Sequence, residues 1–178
     1  PNAFSGAQIE VPPAPLQALF DRQPALEVVE QALRAAYRTI AASLAQGGCL
    51  YLCGNGGSMS DALHISGELL KAYILPRPLD NETQARLIAA GPDGEQLAQA
   101  LQRGLRAVVL GLNHSLSSAL ENDIDMPAVG YAQELLALAR PGDVLLGIST
   151  SGNARNVCYA AQVARAQSVA VLSLTGQD

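Results

Sequence analysis

Tryptophan is absent from the 178 residues, and aromatic residues of all kinds make up only 4%. That leaves little material for the aromatic platforms on which nucleic-acid bases stack. Basic charge is also short: 11 Lys and Arg stand against 16 Asp and Glu, a net charge of −5. A chain of that sign is poorly suited to grip a phosphate backbone over a broad face, so no nucleic-acid partner is expected. A single phosphate group needs only local donors and stays within reach. No window reaches the roughly eighteen uninterrupted apolar residues of a membrane span, so no membrane partner is expected. The first residues lack a basic-then-apolar leader pattern; a leader preceding Pro1 would lie outside this reading. The three cysteines, Cys49, Cys53 and Cys158, have no framework spacing. Such usage fits a reducing compartment and a cytoplasmic protein, with Cys49 and Cys53 serving as small core residues of an apolar run.

What is present is a core. Hydrophobic residues make up 49% and charged residues 15%, enough for one folded domain. Residues 1–15 carry Pro1, Pro12, Pro13 and Pro15, and 1–24 is predicted to be an extended lead-in. From Pro24 to Gln46, Leu26, Val29, Leu33, Ala36, Tyr37, Ile40 and Leu44 recur at spacings of three and four. That stripe predicts a long amphipathic helix, ended by Gly47-Gly48.

Four short apolar runs then follow, at 49–53, 107–112, 144–148 and 169–174. Continuous apolar runs of this length read as strands buried on both faces. Helical patterns at 59–75, 129–139 and 154–166 alternate with them, and 81–90, 95–105 and 115–121 can also form helices. The alternation predicts an α/β fold: a mostly parallel sheet with helices on both faces, in a single domain over 25–178. In such folds ligands sit at the carboxyl ends of the strands.

Two polar loops occupy those ends. Ser149-Thr150-Ser151-Gly152-Asn153 puts three hydroxyls at a predicted helix N-terminus. Unpaired N–H groups and the helix dipole favour an anion there, and a phosphate monoester suits the cradle. The plainer alternative is a serine N-cap, although one serine suffices for that. The loop is neither a Walker A motif nor a dinucleotide fingerprint. The second loop is Gly54-Asn55-Gly56-Gly57-Ser58. Asn55 can donate to and accept from a sugar hydroxyl, while Ser58 and Asp61 have the spacing of a capping box. On the next helix, His64 and Glu68 are four apart and share a face, on a turn expected near the strand ends. The carboxylate can take a proton from a carbon beside a carbonyl, the pair can hold two corners of a divalent metal, or it can be a solvated helical pair. Asn122-Asp123 is a third polar patch that can equally be a turn.

In combination, the motifs Cys53 to Ser58, then Asp61, His64 and Glu68, then Asn122-Asp123, then Pro141 to Asn153 resemble the sugar isomerase (SIS) domain family, and within it the phosphoheptose isomerases. The resemblance implies a three-layer, Rossmann-like α/β/α sandwich preceded by a long N-terminal helix, usually assembled as a homotetramer. It implies isomerisation of a phosphorylated ketose to an aldose, sedoheptulose 7-phosphate to D-glycero-D-manno-heptose 7-phosphate, through an enediol. It places phosphate binding on Ser149, Thr150 and Ser151, and sugar binding on Asn55, Gly56, Gly57, Ser58, Asn122 and Asp123. It places the catalytic base on Glu68 and a zinc ion on His64 and Glu68, with no nucleotide cofactor. Some relatives are instead non-catalytic phosphosugar sensors or oligomeric adaptors.

Three departures from the family pattern stand out. Ala154 replaces a further serine. The segment near 76–105 reads as an insertion of roughly two dozen residues, more typical of a functional element than of a connection. The family's catalytic acid, a His, lies on a C-terminal helix that also carries a Gln ligand for zinc, and that helix would follow Asp178; the native chain is therefore expected to continue.

Overall fold

The computed structural model describes residues 10–176. Four parallel strands form one sheet in the order β2-β1-β3-β4. They are β1 (Leu50–Gly54), β2 (Ala107–Val109), β3 (Val144–Ser149) and β4 (Ala170–Thr175). Leu50 pairs with Ala107 on one side and with Val144 on the other, and Val144 pairs in turn with Ala170. The central strand β1 is buried along its whole length, which is why it reads as an uninterrupted apolar run.

Alternation along β1 splits the core into two layers. Cys49, Tyr51 and Cys53 face one side, packed with Tyr131, Leu135, Ala160 and Ala164. These come from α7 (Gly130–Leu138) and α8 (Arg155–Ala166). Leu50 and Leu52 face the other, against Ala62, Ile65, Leu69, Ile40 and Leu44. Those belong to α3 (Gly57–Leu70) and α2 (Glu30–Ala45). The predicted three-layer α/β/α architecture is therefore present. Burial pushes the Cys53 thiol up to about 12 and raises that of Cys49, so both stay protonated, as core residues should.

Several boundaries differ from the sequence reading. The predicted lead-in is extended only in name over its second half: Pro13–Arg22 is a helix, α1, with proline in its first turn and Leu16 and Phe20 buried. A proline there loses no bond and has φ already set. Residues 1–9 lie outside the described residues. Pro24–Val29 forms a 3-10 turn, so the long helix begins only at Glu30. The helix after the glycine loop stops at Leu70 rather than 75, because Lys71 is extended and Arg77 reaches back to donate to the Glu68 and Leu69 carbonyls. The second strand ends at Val109 because Gly111, at φ 89°, turns the chain away. A Cβ at Gly111 would fall on the ring of Tyr131.

The segment expected as an insertion forms a helical hairpin, α4 (Asn81–Ala90) and α5 (Gly94–Ala100), whose helices pack chiefly on each other. Asp80 caps α4 by accepting from the Thr83 N–H at 2.8 Å. The hairpin's base is closed by a Pro78–Gln102 bridge and by Arg103 N–H donating to the Arg77 carbonyl. Leu101 is extended, so the second helix stops at Ala100 rather than 105. After β2 comes α6 (His114–Asp123).

Candidate functional site at the carboxyl edge of the sheet

Strands β1 and β3 are neighbours, with Gly54 beside Ile148. The helix that follows β1 packs on one face of the sheet and the helix that follows β3 packs on the other. This is a topological switch point, where the two connections diverge and leave a crevice. The glycine loop and the serine loop leave the sheet side by side at that crevice, about 4.8 Å apart at the strands.

The glycine loop turns tightly into α3. Gly56 is its N-cap at φ 56° and ψ −121°, and no side chain caps the helix. The capping-box reading of Ser58 and Asp61 is therefore wrong: Ser58 already lies inside the first turn, its N–H donating to the Asn55 carbonyl at 3.1 Å. Gly54 makes this entry possible, because a Cβ there would lie 2.8 Å from the Ser58 Cβ.

In the serine loop, Ser149 ends β3 and is buried, whereas Thr150 and Ser151 are exposed. The N-cap of α8 is Ala154, with no side-chain cap bond. None of the three hydroxyls is spent on capping, so the plain N-cap reading does not describe this loop. Ser151 Oγ accepts from Asn153 N–H at 3.3 Å, and Gly152 adopts φ 66°.

A network absent from the sequence reading joins these loops. Asn55 and Asn156 form a reciprocal amide pair: Asn55 Nδ2 donates to Asn156 Oδ1 at 2.9 Å, and Asn156 Nδ2 donates to Asn55 Oδ1 at 2.8 Å. The Tyr131 hydroxyl donates to the Gly54 carbonyl at 2.6 Å and lies 3.1 Å from Asn55 Oδ1. Burial, then the nearby Cys53, raises the Tyr131 pKa and keeps this donor protonated. Glu134 holds the β2 end by accepting from Gly111 N–H at 2.6 Å. These pairs span 23 to 101 residues, so no local pattern announces them. A cleft of about 400 Å³ opens beside Tyr131 and Asn156, lined also by Gly111, Ser117 and Met126.

Asn122 and Asp123 close α6 at the surface, Asn122 Nδ2 donating to Asp123 Oδ1 at 2.7 Å. Their neighbours Glu121 and Ile124 line the cleft, but the pair itself does not. His64 and Glu68 do share a face of α3, with Nε2 and Oε1 3.4 Å apart and side chains 79% and 33% exposed. Their expected position near the strand ends is overturned. Glu68 lies ten residues beyond Ser58, about 15 Å along the helix axis. One turn of α3 before its end, Ser66 Oγ already donates to the carbonyl of Ala107, the first residue of β2. Glu68 is thus level with the amino edge of the sheet, while the serine loop is at the carboxyl edge.

A zinc site takes at least three protein ligands. Among the described residues no group of three His, Cys, Asp or Glu side chains comes together. His64 and Glu68 alone supply two.

Comparison with known proteins agrees with this architecture. The chain matches the SIS domain family over residues 21–86 and 97–176, leaving out a stretch inside the α4–α5 hairpin. It is 34% identical over 156 residues to the phosphoheptose isomerase of Methylibium petroleiphilum, a match covering 88% of this chain and 65% of that protein. It is 38% identical over 141 residues to that of Thiobacillus denitrificans, covering 79% and 58%. The chain thus spans about two-thirds or less of the length of these relatives. In three dimensions it is similar to the phosphoheptose isomerase GmhA from Neisseria gonorrhoeae, at 28% identity and a TM-score of 0.65, over 91% of this chain and 71% of that one. A phosphoheptose isomerase from Francisella tularensis shares the fold at 22% identity, with a TM-score of 0.65 over 93% and 75% of the two chains. With the strand-end loops and the matched residues agreeing across most of its length, the chain belongs to the SIS domain family.

Proposed function

We propose that the chain is the core of a ketose–aldose isomerase that converts sedoheptulose 7-phosphate to D-glycero-D-manno-heptose 7-phosphate. The observation that carries this reading is the serine loop at the switch point, none of whose three hydroxyls is spent on capping α8. A phosphate dianion gains there from the helix dipole and from short O–H donors. Ser149, Thr150 and Ser151 would hold it, with Gly56, Gly57 and Ser58 walling the adjacent crevice. Anchoring at this remote group supplies binding energy that orients the reacting carbons. Asn122 and Asp123, beside the cleft, would meet the sugar's far end.

Glu68 is the proposed base. It takes the proton from C1 of the ketose, leaving an enediolate, and returns it to C2, while the proton of the C1 hydroxyl passes to the C2 oxygen so that C1 becomes the aldehyde. Its separation from the serine loop of its own chain means that one subunit does not bring both to one substrate. We therefore propose a homo-oligomer, a tetramer, in which Glu68 of one copy serves the loops of another. Zinc, held by His64 and Glu68 with further ligands still required, would polarise the carbonyl when bound; no step is assigned to it. A cytoplasmic location is supported by the free cysteines. Among the described residues, no helix is long and apolar enough to cross a membrane.

The same separation favours a second reading, a non-catalytic phosphosugar-binding module acting as sensor or adaptor. A coupled assay of the full protein with sedoheptulose 7-phosphate, with and without chelator, decides between the two. The expected result is aldose formation that Glu68→Gln lowers about a thousandfold while substrate binding persists. Binding without aldose formation in the wild type establishes the second reading.

A further inference from the structure

Asn156 is the second residue of α8, and its amide pairs with that of Asn55 on the glycine loop. Its Oδ1 accepts from the Val157 N–H at 3.0 Å. That contact fixes which end of the amide is oxygen, because a backbone N–H cannot face an NH2 group. With the Asn156 oxygen fixed, Asn55 Nδ2 must face it and Asn55 Oδ1 must face Asn156 Nδ2, as observed. The Tyr131 hydroxyl gives its single proton to the nearer Gly54 carbonyl, and its oxygen sits 3.1 Å from Asn55 Oδ1. The Asn55 carbonyl oxygen is then bonded on one side by Asn156 and covered on the other by the Tyr131 oxygen. Of the four hydrogen-bonding valences of this amide, the one neither bonded nor covered by Tyr131 is an N–H.

We propose that Asn156 and Tyr131 are positioning residues that lock the β1–α3 loop to the start of α8 and present Asn55 to the ligand as a hydrogen-bond donor only. Asn55 thereby reads an acceptor, such as a carbonyl, ether or phosphate oxygen, or the lone pair of a hydroxyl whose proton points elsewhere. The sequence reading, in which Asn55 both donates and accepts, is narrowed to half. The lock also ties together the two loops that flank the switch-point crevice, since α8 is the helix that follows the serine loop. This inference rests on the reading that the ligand enters that crevice, but the lock itself is a property of the free protein.

The test uses the full protein and the variants Asn55→Ala, Asn156→Ala, the double variant, Tyr131→Phe and Asn55→Asp. Two readouts separate the lock from the functional reading. Amide hydrogen exchange over residues 54–59 reports the lock without any ligand. Asn156→Ala is expected to speed it about tenfold with Tm unchanged, and Tyr131→Phe to speed it less. Unchanged exchange in both variants overturns the lock. Steady-state kinetics with sedoheptulose 7-phosphate report the presentation of Asn55. Asn156→Ala is expected to raise KM about tenfold with kcat within about twofold. The double variant should be no worse than Asn55→Ala, because Asn156 acts through Asn55. Multiplying effects overturn that dependence. Asn55→Asp offers oxygens only and is expected to bind more weakly than Asn55→Ala; wild-type affinity in Asn55→Asp overturns the donor-only contact. If the wild type neither binds nor converts sedoheptulose 7-phosphate, the functional reading fails, and the exchange measurement still decides the lock.

Discussion

At the amino edge of the sheet, Asp143 accepts from the N–H groups of Cys49 and Arg140, both at 2.8 Å, while Ser43 donates to the Gly142 carbonyl at 2.6 Å. Arg106 donates to the Gly47 carbonyl beside them at 2.7 Å. At the carboxyl edge, Thr150 and Ser151 are exposed on a loop that ends in an uncapped helix. Both edges are rich in polar side chains next to strand ends, but the amino-edge set is consumed by the chain, whereas the hydroxyls of Thr150 and Ser151 face outward. Polar groups that are buried and fully paired stabilise a fold, because any partner removed leaves an orphan. Polar groups held rigidly but left unpaired are material for a ligand. The difference separates a staple from a site even though the residue types are alike.

This contrast can be broken by substitution. The largest effect on folding is expected from Asp143→Ala. The side chain is 4% exposed and its loss orphans two N–H groups, a cost of about 3–5 kcal/mol. Urea denaturation should show it, with KM for the phosphosugar unchanged in the surviving folded protein; a loss below about 1 kcal/mol would deny Asp143 the role of staple. Gly54→Ala comes next. The added methyl must displace Ser58 and the start of α3, and kcat/KM is expected to fall about thirtyfold with a smaller change in stability. Ser151→Ala is expected to be mildest, with KM raised about tenfold and the unfolding midpoint unmoved, since the hydroxyl makes no cap. A shift in midpoint without a shift in KM would place Ser151 among the staples instead.

Much of the architecture is legible in the sequence. Strands buried on both faces advertise themselves as short apolar runs, so β1 and β3 fall within one residue of expectation. The serine loop was legible because one cap does not explain three hydroxyls. The errors arise where the deciding partner is remote. The run Tyr73-Ile74-Leu75 looks like more helix, but these side chains are largely exposed, and α3 is ended by Arg77 and an extended Lys71. Spacing placed His64 and Glu68 on one face correctly, yet it could not say at which height of the sheet that face lies. Helical rise supplies the answer once the start of α3 is fixed at Gly57. Tyr131 and Asn156 carried no signal, because a tyrosine in an apolar helix and an asparagine near a helix start are both commonplace. Their meaning comes from meeting Asn55 across 76 and 101 residues.

The bond from Cys49 N–H to Asp143 reaches across 94 residues, and its consequence concerns birth rather than function. A ribosome adds about 5–20 residues per second, so the middle strand waits about 5–20 s for the neighbour that will cover its flank. During that interval the run Leu50 to Cys53 is an unpaired greasy edge in a crowded cell, the kind of surface that sticks to other nascent chains. Slow synthesis or high expression should therefore punish this fold early, before the stretch carrying Asp143 has emerged.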